Sequence, residues 1–242
     1  MVYRRTEKVV RRLAQRHAAI LAAARAAADE GGMAAVQIAP VADRAGIAAG
    51  TVYRYFPAKS DLVAALVATV ADREIAELRQ AADAAPGPLS AIAAAVTTFA
   101  ARGLARRKLA WAVLAEPVDP EVEGVRLGYR QALAAELEQR IATAMSCQQL
   151  PTQDATLSAA ALVGGLLEAV IGPLAPRAAA AHSREAVQSI TLIALRAVGV
   201  ADAHARGLVM QTAVPMTDEG GQRTEDGSQP PNATSAPVPS ST

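Results

Sequence analysis

Apolar residues recur along most of this chain at helical rather than alternating spacing. Leu62, Val63, Leu66, Val67 and Val70 pair at three- and four-residue spacing, and Ile75 and Leu78 lie three apart further on, the signature of a buried stripe on a 3.6-residue period. Read this way, the chain predicts helices near 8–30, 39–45, 49–55, 59–82, 89–105, 107–115, 121–145, 153–174 and 184–200. Breaks fall at Pro86-Gly87-Pro88, from Glu116-Pro117 through Asp119-Pro120, at Leu150-Pro151 and from Pro173 to Pro176, where proline and glycine punctuate helices. Alanine, leucine and valine dominate and aromatics make up 3% of residues, which favours helix over a β sandwich. The expected fold class is all-α.

Two of the predicted helices are short and separated by a tight turn. Val41, Ala42 and Ala45 share a face that Gly46 can end, since glycine takes the left-handed conformation without a Cβ clash. Ile47 can plug the corner, and a second helix runs from about Ala49 to Tyr55 until Pro57 stops it. At about 100° per residue, Val52 and Phe56 fall on one side of this helix and Gly50, Thr51 and Arg54 on the other. Gly50 allows close backbone approach, Thr51 offers a hydroxyl and a methyl, and Arg54 can fork onto a guanine edge or hold a phosphate. Tyr53, Tyr55 and Lys59 flank that face and suit phosphate contacts, which position a protein without reading bases. The same aromatics would also serve as ordinary core residues of a small helix.

Residues Arg16 to Leu66 resemble the N-terminal domain of the TetR family of bacterial transcriptional regulators. The resemblance is carried in order by Ile20-Leu21-Ala22-Ala23-Ala24, Glu30-Gly31-Gly32, Val41-Ala42-Asp43-Arg44-Ala45-Gly46, Gly50-Thr51-Val52-Tyr53-Arg54-Tyr55-Phe56, and Lys59 with Leu62. It implies an N-terminal three-helix helix-turn-helix domain followed by a helical ligand-binding and dimerisation domain. It also implies DNA contacts from Gln37, Ala49, Gly50, Thr51, Tyr53, Arg54, Tyr55 and Lys59. The chain departs from the family pattern in two places: Val36-Gln37-Ile38 stands where threonine usually precedes the second helix, and Ala48 where serine usually opens the third. Each lost side-chain cap costs on the order of 1 kcal/mol, and the phosphate contacts then fall to Tyr53, Tyr55, Lys59 and other basic residues. Pro40 is compatible with a first helical turn.

The overall charge of +1 conceals a division. Residues 1–60 hold ten basic against four acidic residues, a net of +6, which leaves −5 for the remainder. A basic N-terminal part suits a polyanion such as double-stranded DNA, with affinity that falls steeply with salt. The Arg4-Arg5 and Arg11-Arg12 pairs precede the first apolar run and read either as an arm touching phosphates or a minor groove, or as a solvated basic tail. The resulting domain reading is 1–70 for the DNA-binding part with its basic arm, 71–205 for the helical ligand-binding and dimerisation part, and 206–242 for a disordered tail rich in Gly, Ser, Thr and Pro.

Large side chains on the middle helices, Phe99, Trp111 and Tyr129 among them, are candidate walls of a ligand site, with Glu168 as a polar anchor. Plain packing is the commoner use of each such residue, and the scarcity of polar groups there points to an apolar effector. In the resembled family the last two long helices form a four-helix interface with a second subunit, so 153–174 and 184–200 imply a homodimer. Val163, Leu166, Leu167, Val170 and Ile171, facing Ile190, Leu192, Ile193, Leu195 and Val198, would supply its apolar area, or else an intramolecular core. The run Ala159 to Pro176 has Glu168 as its one ionisable group, yet that central charge and its glycines and prolines argue for a buried helix over a membrane span.

Enzyme chemistry finds no foothold. Cys147 is the single cysteine and His17, His182 and His204 are scattered, so no disulfide, zinc cluster or other metal site is expected, and no catalytic residue or cofactor motif stands out. Charges at Arg4, Arg5, Glu7 and Lys8 without a following apolar core predict a cytoplasmic protein. The expected function is that of a ligand-responsive repressor binding a pseudo-palindromic operator as a dimer. The alternative is a structural or nucleoid-type DNA-binding dimer without an effector.

Overall fold

The computed structural model describes residues 7–172 and 184–215, and every regular element among them is helical. Helix α1 (Glu7–Gly31) turns Ile20, Ala23, Ala24, Ala27 and Ala28 inward. After a 3-10 turn at Met33–Ala35 come α2 (Ile38–Arg44) and α3 (Ala49–Tyr55). Between them Gly46 has φ +65°, its N–H donates to the Asp43 carbonyl at 3.1 Å, and that of Ile47 donates to the Ala42 carbonyl at 3.0 Å. That pair of bonds closes α2 as a Schellman motif.

Helix α4 (Lys59–Asp83) has 25 residues, a rod of about 37 Å at 1.5 Å per residue. Its first turns bury Leu62, Val63, Leu66 and Val67 in the same core as α1 and α3, and its later turns bury Ile75, Leu78 and Ala82. The rod therefore crosses the boundary expected at 70/71. Asp61 accepts the Ala58 N–H at 2.9 Å, which supplies a cap that the Ala58 side chain cannot.

The remaining helices are α5 (Pro88–Ala105), α6 (Arg107–Leu114), α7 (Pro120–Ser146), α8 (Ala155–Val170), α9 (Arg184–Ala197) and α10 (Asp202–Gln211). Helix α5 is the hub, packed against α4, α6, α7, α8, α9 and α10. Among the described residues it is the one helix long and apolar enough to cross a membrane, and 67% of that window is buried inside the bundle. Charged clasps tie its neighbours together: Arg102 grips Glu74 at 2.5 and 2.8 Å, Arg140 meets Asp83 at 2.7 Å, and buried Glu136 receives Arg79.

Three expectations need correction. Residues 206–211 were expected in the tail but continue α10, where Ala205, Leu208 and Val209 form a buried i, i+3, i+4 stripe. Helix α8 stops at Val170 rather than 174 because Ile171 leaves helical geometry. The break expected at Pro173 to Pro176, the Arg4-Arg5 pair and the tail from 216 lie outside the described residues. Arg11 and Arg12 are exposed on α1 itself, so they belong to a helix rather than an arm.

Candidate nucleic-acid interface and cavity

Val52 at 0% and Phe56 at 4% exposure root α3 in the core, as their shared face requires. His17 on α1 lies 5.1 Å from the Phe56 ring and 6.2 Å from that of Tyr55, centroid to centroid. Tyr55 is thereby half-buried and packs as well as flanks. On the opposite side Gly50, Tyr53 and Arg54 are exposed, Ala49 and Thr51 half-exposed, and Lys59 exposed just beyond. Neither Gln37 nor Ala48 makes a side-chain cap. The Gln37 side chain turns back instead to donate to the Ala34 carbonyl at 2.9 Å.

The positive surplus at this end is not spread evenly. Arg44 is held by Glu30 through two bonds of 2.6 Å, and Arg25 points away toward the second half of the molecule. Arg11, Arg12, Arg16, Arg54 and Lys59 are exposed and have no ion-pair partner among the described residues. Uncompensated cations beside an exposed helix face are the electrostatic requirement for a phosphate backbone.

A cavity of about 210 Å³ lies where α1, α4, α5, α6, α7 and α8 converge. Phe99 and Tyr129, both expected as walls, line it; Trp111 and Glu168 do not. Trp111 faces outward with 40% of its surface exposed, and the Glu168 carboxylate lies over Gly172 at the end of α8. The lining also contains Arg25, Arg73, Glu74, Arg102 and Arg106, so the site is far more charged than the sequence suggested. These residues were missed because their spacing on three helices and the α5–α6 junction carries no motif. Burial, then Arg106 and Arg73, lowers the pKa of Arg25. Burial foremost, with the charge of Glu74 next, pushes the Tyr129 phenol up, so it stays a neutral hydroxyl.

Helix α6 is shared between this cavity and the N-terminal helices. Leu109, Ala110, Val113 and Leu114 line the cavity, whereas Lys108 donates to the Glu30 carbonyl at 3.2 Å and Arg106 faces Asp29 at 3.4 Å. Just past α6, Glu116 accepts the Met33 N–H at 2.8 Å. From the other side, Arg126 and Arg130 of α7 donate to the Ala112 and Leu114 carbonyls at 2.6 and 2.9 Å, satisfying groups that a helix C-terminus leaves open.

Comparison with known proteins agrees with this geometry. The family described as bacterial regulatory proteins, tetR family, matches residues 20–66. The HTH-type transcriptional repressor KstR of Mycobacterium tuberculosis is 53% identical over 49 residues, which are 20% of this chain and 22% of that repressor. The sequence match thus spans about a fifth of the relative's length. Over most of the chain the likeness is one of fold: RolR in complex with resorcinol superposes with a TM-score of 0.63 at 20% identity, covering 86% of this chain and 98% of that one. FadR from Bacillus subtilis in complex with stearoyl-CoA gives 0.62 at 17% identity, covering 75% and 97%. Over residues 20–66 the chain carries the helix-turn-helix domain of the tetR family of bacterial regulatory proteins, and over most of its length it shares the fold of these solved structures.

Proposed function

We propose that this chain is a ligand-responsive transcriptional repressor that binds a pseudo-palindromic operator as a homodimer. The observation that carries the reading is the exposed face of α3, with Gly50, Thr51 and Arg54 presented on a helix whose other face is locked by Val52 and Phe56. Gly50, Thr51 and Arg54 read base edges; Tyr53, Lys59 and the backbone around Gln37 and Ala49 hold phosphates, assisted by the hydroxyl of Tyr55. The relatives named as repressors support this reading, and the neighbours solved with resorcinol and stearoyl-CoA support an effector in the second domain.

The dimer surface is the outer face of α8 and α9. Val163, Leu166, Val170, Leu195 and Val198, expected there, are buried within the chain. Ile193, also expected there, stays outside at 65% exposure, and Leu157 joins it at 67%, beside a groove of about 320 Å³ that includes Ala161, Gly165 and Ala197. A Cβ added at Gly164 or Gly165 meets nothing within 4 Å, leaving room for a second helix pair. A two-fold axis there sets two copies of α3 against successive major grooves about 34–36 Å apart.

Effector binding reaches α3 through α4 and α6, which both line the cavity and both touch the N-terminal helices. A coupling of about 1–3 kcal/mol changes operator affinity roughly 5–150-fold. Titration of labelled promoter fragments at fixed salt tests the reading. Saturable binding to one sequence, competed poorly by random DNA and relieved by a small molecule, is the expected result; equal affinity for all sequences would replace it with a nucleoid-type role.

A further inference from the structure

We propose that the cavity between α1, α4, α5 and α6 takes a small organic monoanion, with its acidic head on Arg25 and its apolar body against Phe99, Leu109, Val113 and Val170. The inference rests on the reading of the chain as an effector-responsive regulator, and it names the chemistry of the effector.

The argument is one of charge. Four guanidinium groups, those of Arg25, Arg73, Arg102 and Arg106, line the cavity. Three carboxylates answer them. Glu74 takes Arg102 in a two-point grip, Asp29 stands 3.4 Å from Arg106, and Glu77 lies 3.5 Å from Arg102 and 3.9 Å from Arg73. One positive charge is left over, and Arg25 is the group that holds it, for it has no hydrogen bond or ion pair among the described residues. A partly desolvated cation with no directly bonded anion among the described residues is costly, and an entering anion relieves that cost where a neutral molecule does not. Burial first, then the like-charged neighbours Arg106 and Arg73, hold the pKa of Arg25 down, and the charges of Glu74 and Asp29 offset this only in part.

Size and polarity limit the rest of the ligand. A volume of about 210 Å³ equals roughly seven waters at their liquid share, room for a single ring or a short chain. Tyr129 is buried and its hydroxyl makes no hydrogen bond among the described residues, so it offers a second, neutral donor to the same head group. Arg102 is fixed by Glu74 and shapes the wall rather than receiving the ligand.

The test uses the full chain, calorimetry, and two matched pairs: benzoate against benzamide, and octanoate against octanamide. Each pair keeps its shape and differs in charge. The acids are expected to bind at least about tenfold more tightly than the amides. Arg25→Gln should remove that advantage by weakening the acids far more than the amides, Arg25→Lys should keep part of it, and thermal melts confirm that each variant folds. Equal affinity for acid and amide, no binding by either acid, or unchanged acid binding in folded Arg25→Gln would overturn the inference. Should Arg25→Gln not fold, the acid–amide comparison on the unmodified chain decides the matter. Gel shifts with promoter DNA keep the two readings apart. Specific DNA binding without acid preference rejects the monoanion alone, whereas acid preference without specific DNA binding upholds it and rejects the repressor.

Discussion

The Glu116 carboxylate accepts the backbone N–H of Met33 at 2.8 Å across 83 residues of sequence. The bond joins the end of α6 to the turn that leads into α2. Next to it Gly32 has φ +71° and ψ −169°, a region essentially reserved for glycine, and a Cβ there would stand 2.7 Å from the same carboxylate. The glycine is therefore required twice, by backbone conformation and by the approach of Glu116.

Glu116→Ala removes a charge-assisted bond to a backbone donor and should cost about 1–2 kcal/mol of stability. Gly32→Ala should cost about 1–3 kcal/mol through strain, and the two changes should be less than additive because they meet at one contact. Chemical denaturation of the single and double variants measures this. Because the bond links the cavity helix to the turn before α2, Glu116→Ala should also reduce the change in operator affinity that an effector produces. Full retention of that response would remove Glu116 from the coupling.

Thr97 and Thr191 form a buried pair at 3.0 Å between α5 and α9, and the Thr191 hydroxyl already donates to the Val187 carbonyl at 2.9 Å. Thr97 is therefore the donor within the pair. Thr191→Val strands that donor and should cost about 1–3 kcal/mol, while Thr97→Val leaves Thr191 with its main bond and should cost about 0.5–1.5 kcal/mol. Urea melts that ranked the two in the reverse order would show that the hydroxyl protons are placed otherwise.

Helix positions were legible because they rest on local rules. The Leu62 to Leu78 stripe, the prolines after α4 and α7, and the left-handed glycine at Gly46 each announce an element without reference to distant residues. The face of α3 was legible for the same reason, since Val52 and Phe56 sit one turn apart. What escaped was set by tertiary assembly. Leu166 and Leu195 are as apolar as Leu157 and Ile193, and only packing decides which pair is covered. Arg25, Arg73 and Arg106 are ordinary helix-surface cations in sequence, and they become one site only when α1, α4 and α5 converge. Residues 206–211 were hidden by the polar composition that follows them, although Leu208 and Val209 lie on a helical stripe.

Ile193 projects from α9 with 65% of its surface exposed, so Ile193→Glu should alter monomer stability by no more than about 0.5 kcal/mol. At a two-fold interface the same change sets two like charges face to face and should shift the protein to monomer. Sedimentation velocity reads the outcome, with Leu157→Glu as a second probe of the same face. A dimer that survives both would place the interface elsewhere.

Arg54 and Lys59, at the end of α3 and the start of α4, are both exposed and without an ion-pair partner among the described residues, yet they should fail differently. Arg54 points from the reading face, so Arg54→Ala should weaken operator binding by about 1–3 kcal/mol and relax the preference at one base position. Lys59 flanks that face, so Lys59→Ala should weaken all sequences alike and lower the salt slope by about one. Gel shifts across a salt series, run on the operator and on single-base variants of it, separate the two effects. If Arg54→Ala lowers affinity equally for every base variant, Arg54 holds a phosphate, and base reading then falls to Thr51 and the backbone at Gly50.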